Sequence, residues 1–203
     1  MLARSFVTRS LSRELTTMRH TLLPAFGLVA TTVVFGWSAG AQAAHTAPAD
    51  APSRATLASA AEPGTRLTVS GRVLGEDGQA LAGASIYVYQ TDAKGEYIPG
   101  SSGGSDRPRL FAYLRSDAQG RYTFTTIRPG SYPNSRNPGH VHFEVSASGA
   151  ASRVYEIVFE GDPFISTAFR DQARAPFGGV AIVTPRTTGT ALAVDHDVRL
   201  RLP

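Results

Sequence analysis

No cysteine occurs among the 203 residues, and this absence excludes several kinds of site. Disulfide bonds, thiolate metal centres, a cysteine nucleophile and a lipid-anchored N-terminal cysteine all require a residue that the chain lacks. A metal site in this protein must therefore use oxygen and nitrogen donors. Without disulfide bonds, the fold must be stabilised by its hydrophobic core, for which a hydrophobic content of 42% is sufficient.

A surplus of charge is also nearly absent from most of the chain. The formal net charge is +4, but residues 1–43 contain four arginines and a single glutamate. Residues 44–203 contain 16 basic and 15 acidic residues, which leaves a net charge of +1. Such a small charge gives no indication that the protein binds an anionic polymer, and we do not expect it to bind nucleic acid.

The first 43 residues have the layout of a secretory signal peptide. A basic start precedes the uncharged apolar stretch 22–37, and an Ala-Gln-Ala cleavage motif ends at residue 43. Counted from Met18 the segment has 26 residues, which makes Met18 a candidate start. A membrane anchor is the alternative, but the stretch is short for a span of about 20 residues and contains Pro24. We expect export to the periplasm or the extracellular space, with no stable membrane span after cleavage.

Residues 44–64 are rich in Ala, Pro, Ser and Thr and show no apolar periodicity. Such a composition predicts a flexible leader. His45 lies within this leader and is expected to be solvated, without a role. The predicted organisation is thus a signal peptide over 1–43, a leader over 44–64 and one folded domain over 65–203.

The rest of the chain alternates between short strand patterns and turn sequences. No window of helical length shows a convincing apolar period of 3.6 residues. Strands are predicted over residues 67–74, 84–90, 111–114, 121–127, 140–146, 153–160, 179–183 and 193–202. The pattern predicts an all-β fold, an antiparallel β-sandwich with long loops and little helix.

One short segment is repeated at an offset of 25 residues. The sequence TDAKGEY at 91–97 matches SDAQGRY at 116–122. Asp-x-x-Gly is typical of turns, because Asp accepts hydrogen bonds from the following amides and Gly adopts a positive φ. We interpret the repeat as two hairpin turns built in the same way, rather than as a duplicated functional unit.

His140 and His142 lie two residues apart on a predicted strand. A period of two places both side chains on one face, with Cα atoms about 7 Å apart. Val141, Phe143 and Val145 lie on the opposite, apolar face. The histidines are therefore candidate metal ligands, and a pair of exposed strand histidines is the alternative.

Oxygen donors that could complete a metal site are also present. Tyr132 lies in a loop that three prolines stiffen, and Tyr97 directly follows a predicted turn. Glu144 and Glu156 are the nearby carboxylates. His196 is expected to be a polar residue on an edge strand. The tyrosines within predicted strands are expected to be packing residues: Tyr87, Tyr89, Tyr122 and Tyr155.

Taken together, the motifs of residues 66–165 resemble the intradiol ring-cleavage dioxygenases, most closely the protocatechuate 3,4-dioxygenase type. The most specific motifs are T-I-x-P-G-x-Y-P at 126–133 and H-x-H at 140–142, followed by F-E-G-D-P at 159–163. The resemblance implies a β-sandwich that holds one mononuclear non-haem Fe(III). By motif position, the metal ligands would be Tyr97, Tyr132, His140 and His142.

The resemblance also implies an activity. Such enzymes cleave a catecholic ring between its two hydroxyl-bearing carbons, incorporate both atoms of O2 and form a cis,cis-muconate-type diacid. Tyr132 would be the axial ligand that departs when the substrate binds and takes one of its protons. The expected partners are thus a catecholic small molecule and O2, and a homo-oligomer is compatible with the sequence.

Two positions depart from the family pattern. Asn137 stands where the family commonly has an arginine, and Arg136 is its neighbour. Glu156 stands where a glutamine often lines the pocket. Arg136, Asn137 and Glu156 are therefore the expected substrate-pocket residues, and a carboxylate at position 156 would repel an anionic substrate such as protocatechuate.

Two other functions remain open at the level of sequence. A non-enzymatic secreted β-sandwich module, of the prealbumin-like or carboxypeptidase-regulatory-like kind, shares the strand and turn patterns. Such a module does not need both the P-G-x-Y-P and the H-x-H motif. The presence of this pair of motifs therefore discriminates a dioxygenase from a non-enzymatic module. The other alternative is a dioxygenase-like fold that binds a metal or a catechol without turnover, which the departures at Asn137 and Glu156 keep open.

Overall fold

A computed structural model describes residues 45–101 and 103–202, which form two β-sheets and one short helix. The strands are β1 (Arg54–Thr56), β2 (Arg66–Gly75), β3 (Ser85–Gln90), β4 (Leu110–Arg115), β5 (Arg121–Ile127), β6 (His140–Ser146), β7 (Arg153–Phe159), β8 (Val180–Val183), β9 (Arg186–Thr188), β10 (Ala191–Asp195) and β11 (Val198–Leu200). One sheet has the order β1-β5-β2-β10-β9, with β11 also paired to β2, and the other has the order β4-β3-β6-β7-β8. The helix α1 spans Thr167–Ala173.

The hydrophobic core lies between the two sheets and is formed by the apolar residues that alternate along their strands. Val69 of β2 and Phe124 of β5 are fully buried, as are Phe143 of β6 and Ile157 of β7. Their alternation with less buried neighbours follows the period of two that places successive side chains on opposite faces. The predicted all-β fold with little helix is confirmed.

Both sheets are mixed, whereas the sequence pattern predicted antiparallel pairing. Four pairs are parallel: β1 with β5, β7 with β8, β10 with β2 and β11 with β2. A parallel pair needs a crossover of about a dozen residues or more, and the stretch 160–179 between β7 and β8, which contains α1, provides one. Alternation alone carries no information on strand direction, so the sequence could not reveal these pairs.

The prediction of a flexible leader over 44–64 is wrong for the part that the structure describes. Residues 54–56 form β1, which pairs in parallel with β5. Ala47 is only 2% exposed, and its main-chain N–H donates to Ser85 Oγ at 2.7 Å. Residues 45–64 show no apolar periodicity because they attach to the sheets through main-chain hydrogen bonds and small side chains. The sequence pattern therefore gives no sign that they are ordered.

His45 is also held on the surface rather than free in solvent. Its ring stacks on Tyr87 with a centroid distance of 4.3 Å. Its main-chain N–H donates to Glu144 Oε2 at 3.0 Å, and its Nδ1 lies 3.0 Å from the same oxygen. His45 is thus exposed, as predicted, but it is not free in solvent, because the attached segment carries it onto the outer face of β3 and β6.

Arg115 provides a test of this attachment. Its guanidinium donates to the carbonyl oxygens of Ala47 and Pro48 at 2.8 Å and to that of Gly83 at 2.7 Å. We expect Arg115→Met to lower the free energy of unfolding by about 2 kcal/mol, because three charge-assisted hydrogen bonds are lost. Urea denaturation measures this. Arg54→Met is the control, since no hydrogen bond joins that exposed guanidinium to the described residues; equal losses in the two variants would contradict the expectation.

The predicted signal peptide, residues 1–43, lies outside the described residues. Within the part of the chain that the structure describes, no helix is long and apolar enough to cross a membrane.

Candidate metal centre

The two histidines open strand β6, between β3 and β7. His140 is 4% exposed, and its Nδ1–H donates to the carbonyl oxygen of Pro138 at 2.8 Å. The Nδ1 of His142 lies 3.4 Å from Glu156 Oε1 on the neighbouring strand. Since both outer nitrogens face acceptors, the Nε2 lone pairs of the two rings are left for another partner.

Two loops bring the tyrosines to the same place. Tyr97 follows the turn in which Gly95 N–H donates to the Asp92 carbonyl at 3.1 Å, and Tyr132 lies in the loop between β5 and β6. The loops are joined because Gly130 N–H donates to the same Asp92 carbonyl at 2.9 Å. The motif that the sequence marks as a turn thus determines where Tyr97 lies relative to Tyr132.

The four donor atoms make five close contacts. Tyr97 Oη lies 2.6 Å from Tyr132 Oη and 2.8 Å from His142 Nε2. Tyr132 Oη lies 3.0 Å from His140 Nε2 and 3.5 Å from His142 Nε2, and the two Nε2 atoms are 3.0 Å apart. The structure therefore brings all four sequence-predicted ligands together around one point, which we call the donor cluster.

Protons are too few for all these contacts to be hydrogen bonds. When each imidazole carries its proton on Nδ1, only the two phenol protons remain inside the cluster. Two protons can form hydrogen bonds in only two of the five contacts. In the other three contacts, the lone pairs of two donor atoms face each other and repel. A cation among the donors would relieve this repulsion. The cluster therefore fits a metal ion, and oxygen donors with imidazole nitrogens are suited to iron(III).

Burial keeps Tyr97, Tyr132 and His142 uncharged unless a cation lies among them. It raises the pKa of both Tyr97 and Tyr132 above the ordinary value of a phenol. Burial, with a smaller contribution from His140, lowers the pKa of His142 to about 3. A bound cation opposes the effect on the phenols because it stabilises the phenolate form.

Glu156 stands beside the cluster, opposite His142 in the pairing of β6 with β7. Its Oε1 lies 3.4 Å from His142 Nδ1 and 4.0 Å from His140 Nε2. Within the described residues, His140, His142 and Glu156 form the one group of three histidine or acidic residues with metal-ligand spacing. Glu156 is predicted to be a substrate-pocket residue, whereas in the structure it lies against a candidate ligand.

Tyr89, which is predicted only to be a packing residue, also contacts the donor cluster. It lies opposite His142 in the pairing of β3 with β6, and its ring stacks on the imidazole at 4.3 Å with an interplanar angle of 8°. Burial raises the pKa of Tyr89 to about 12, so it stays a neutral phenol. The alternation of β3 predicts on which face of the strand Tyr89 lies. It does not predict that β6, with His142, is the neighbouring strand, because that depends on the order of strands in the sheet.

A cavity of about 340 Å³ opens beside the two tyrosines. Its described lining contains no charged side chain: Gly95, Tyr97, Ser101, Gly103, Ser105, Tyr132, Pro133 and Asn134. The size suits a single aromatic ring with its substituents, and the two candidate phenol ligands form part of the wall. This cavity is therefore the candidate substrate site.

The other expected pocket residues do not contact the cluster. Arg136 and Asn137 are exposed, and no hydrogen bond or ion pair joins either side chain to the cluster within the described residues. His196 also lies apart from it: its Nε2 is 2.8 Å from Tyr155 Oη, and its ring packs edge-on against Phe143. Burial lowers the pKa of His196 to about 4. The prediction of a polar residue on an edge strand is therefore wrong: His196 is a partly buried packing residue between β10 and β11.

Comparison with known proteins gives a consistent result. The family model described as Dioxygenase matches residues 39–201. The chain is 32% identical over 158 residues to the protocatechuate 3,4-dioxygenase beta chain of Burkholderia cepacia, an alignment that covers 68% of this chain and 65% of that protein. It is also 32% identical over 129 residues to catechol 1,2-dioxygenase 2 of Acinetobacter lwoffii, covering 55% and 46%. The chain thus spans about half to two thirds of the length of these curated relatives.

Solved structures show the same fold. The dioxygenase domain of a dioxygenase carbohydrate-binding protein fusion from Streptomyces sp. SirexAA-E superposes with a TM-score of 0.58 at 26% identity, covering 78% of this chain and 94% of that one. Catechol 1,2-dioxygenase from Acinetobacter sp. ADP1 superposes with a TM-score of 0.59 at 21% identity, covering 79% and 63%. Because the family model matches most of the residues, and because the motifs and the fold agree with it, the chain belongs to the intradiol ring-cleavage dioxygenase family.

Proposed function

We propose that this protein is an exported non-haem iron(III) dioxygenase that cleaves a catechol between its two hydroxyl-bearing carbons with O2. The observation that carries the proposal is the donor cluster, in which two phenols and two imidazoles converge within 3.5 Å at the edge of a cavity. A purely structural sandwich module has no need for such a cluster. Export rests on the signal-peptide layout of residues 1–43.

The four residues of the cluster would hold the iron, which supplies Lewis acidity that makes the catechol hydroxyls acidic and the ring reactive toward O2. Tyr132 has a further task. Its side chain lines the cavity, and as the phenolate that a bound cation would stabilise it could accept a proton from a substrate hydroxyl. Burial raises the pKa of Tyr132, so the neutral phenol formed in this way would retain the proton. Tyr97, His140 and His142 would stay in place.

The lining of the cavity supports an uncharged catechol as the substrate. None of its described side chains is a cation that could pair with a substrate carboxylate, and Glu156 is not among the residues that line it. An anionic ring substituent would therefore lose its hydration without gaining a partner. We propose a neutral catechol in preference to protocatechuate, although a protocatechuate dioxygenase chain is among the relatives.

Iron reconstitution tests the proposed function. The protein without residues 1–43, supplied with one equivalent of iron, should develop a visible tyrosinate-to-iron charge-transfer band and consume O2 when catechol is added. The product should be the ring-opened diacid, identified by mass. Tyr113→Phe, outside the cluster, is the control and should keep the band. A protein that stays colourless after reconstitution would overturn the iron proposal, and coloured protein without O2 uptake would overturn the dioxygenase activity.

The same band measures substrate preference. Catechol should bind at least about 10-fold more tightly than protocatechuate, a difference of about 1.4 kcal/mol that one unpaired carboxylate readily accounts for. Titration of each compound into the iron-loaded protein gives the two dissociation constants without any need for turnover. Tighter binding of protocatechuate would contradict the proposed substrate class.

A further inference from the structure

The two histidines of the donor cluster have different outer partners. His140 donates through Nδ1 to the main-chain carbonyl of Pro138, a neutral acceptor. The Nδ1 of His142 instead faces the side chain of Glu156 at 3.4 Å. A histidine that binds a metal almost always donates its other ring N–H to a carbonyl, a carboxylate or water, and this donation sets the tautomer and the ring orientation.

Glu156 is held firmly enough to act in this way. Strand pairing fixes its main chain on both sides, opposite His142 on β6 and opposite Val180 on β8. Its N–H donates to the carbonyl of Gly179 at 3.0 Å. The side chain is 30% exposed, and that of His142 is 14% exposed, so the contact between them lies mostly out of solvent.

Tyr89 and Glu156 leave His142 little freedom to turn. Tyr89 covers one face of the imidazole in nearly parallel stacking at 4.3 Å. Glu156 Oε1 lies 3.4 Å from Nδ1 of the same ring, on the strand opposite to that of Tyr89, and the Nε2 of the ring lies 2.8 Å from Tyr97 Oη. Tyr89 therefore limits tilting of the ring, and the carboxylate near Nδ1 favours the tautomer that carries its proton there.

We infer that Glu156 is a positioning residue for the metal centre, which orients His142 and makes it the more electron-rich of the two histidine ligands. The inference rests on the proposed function, because it assigns His142 to a metal. A negative carboxylate 3.4 Å from Nδ1 raises the basicity of the opposite nitrogen more than a neutral carbonyl does. In this role Glu156 acts through His142 rather than as a ligand itself.

Two substitutions separate the contributions of Glu156. Glu156→Gln keeps an acceptor oxygen and removes the charge, whereas Glu156→Leu removes both. The rate of iron loss to a chelator should rise about 10- to 100-fold in Glu156→Leu and clearly less in Glu156→Gln. Both variants should shift the charge-transfer band to longer wavelength, because a less electron-rich His142 makes the iron easier to reduce.

Glu144→Gln is the matched control. Glu144 lies on the same strand and the same face as His142, but its carboxylate binds His45 and no candidate ligand. This variant removes the same charge nearby and should leave the band and the rate of iron loss unchanged. Thermal unfolding of the metal-free proteins shows whether each variant is folded.

The outcomes keep this inference distinct from the proposed function. If the unaltered protein holds no iron, the proposed function fails, and the same variants are then compared through the rate at which they lose Co²⁺. An unchanged band and an unchanged rate of metal loss in folded Glu156→Leu would overturn the positioning role. Complete loss of the metal in Glu156→Gln would also overturn it, since this is the behaviour of a direct ligand.

Discussion

Replacing His140 by alanine is expected to remove iron from the protein and to abolish ring cleavage. His140 contributes one of the four converging donor atoms, at 3.0 Å from both Tyr132 Oη and His142 Nε2. Removal of an outer partner already weakens metal binding by about 10- to 100-fold, so the loss of a direct ligand should exceed about 100-fold. Iron content after gel filtration, the charge-transfer band and O2 uptake measure the effect.

The control for this prediction is His45→Ala. His45 lies on the same sheet but contacts Tyr87 and Glu144 rather than the donor cluster. It should keep a full complement of iron. His140→Ala protein that is folded and still holds one iron per chain with an unchanged band would show that the ligand assignment is wrong.

Gly95→Ala is expected to damage the fold and the metal centre together. Gly95 adopts a φ of +85°, and an added Cβ would lie against the main-chain carbonyl of Ser131, far inside van der Waals contact, and 3.1 Å from Tyr132 Cα. The left-handed conformation costs an alanine about 1–2 kcal/mol. The displacement of a packed main-chain segment costs about 1–3 kcal/mol more. Because that segment carries Tyr132, the rate of iron loss should rise as well.

Gly78→Ala separates the two causes. Gly78 has a similar φ of +82°, but an added Cβ there would meet nothing within 4 Å. It should therefore show only the conformational cost and a normal rate of iron loss. Urea denaturation and chelator kinetics on both variants provide the comparison. Equal destabilisation, with iron retained in both, would mean that the contact of the two loops does not position Tyr132.

The repeated turn shows how far local sequence determines this structure. Gly95 N–H donates to the Asp92 carbonyl at 3.1 Å, and Gly120 N–H donates to the Asp117 carbonyl at 2.9 Å, so the same turn forms twice. The prediction of two hairpins is wrong for the second turn: β3 and β4 pair with each other, whereas β4 and β5 belong to different sheets. The tyrosines that follow have different fates. Tyr97 reaches the donor cluster, whereas Tyr122 is buried and donates to the carbonyl of His196 at 2.6 Å.

The N-terminal segment shows where sequence patterns carry no signal. Strand β1 is three residues long and attaches through its main chain, so neither an apolar period nor a turn motif marks it. Arg115, which binds two of the segment's carbonyls, lies 67 and 68 residues further along the chain than the residues it binds. A local sequence pattern cannot predict a hydrogen bond between residues so far apart in the chain.

By itself, the sequence determined most of the strands, both repeated turns and the four residue types that the centre would use, because periodicity and turn chemistry are local properties. The family motifs carried the ligand assignment, which iron reconstitution will test. Only the tertiary structure decided which side chains surround His142. Tyr89 and Glu156 reach it from β3 and β7 because sheet order and strand register place them there. Register depends on packing between segments distant in the chain, and the physical properties of a single segment do not specify it.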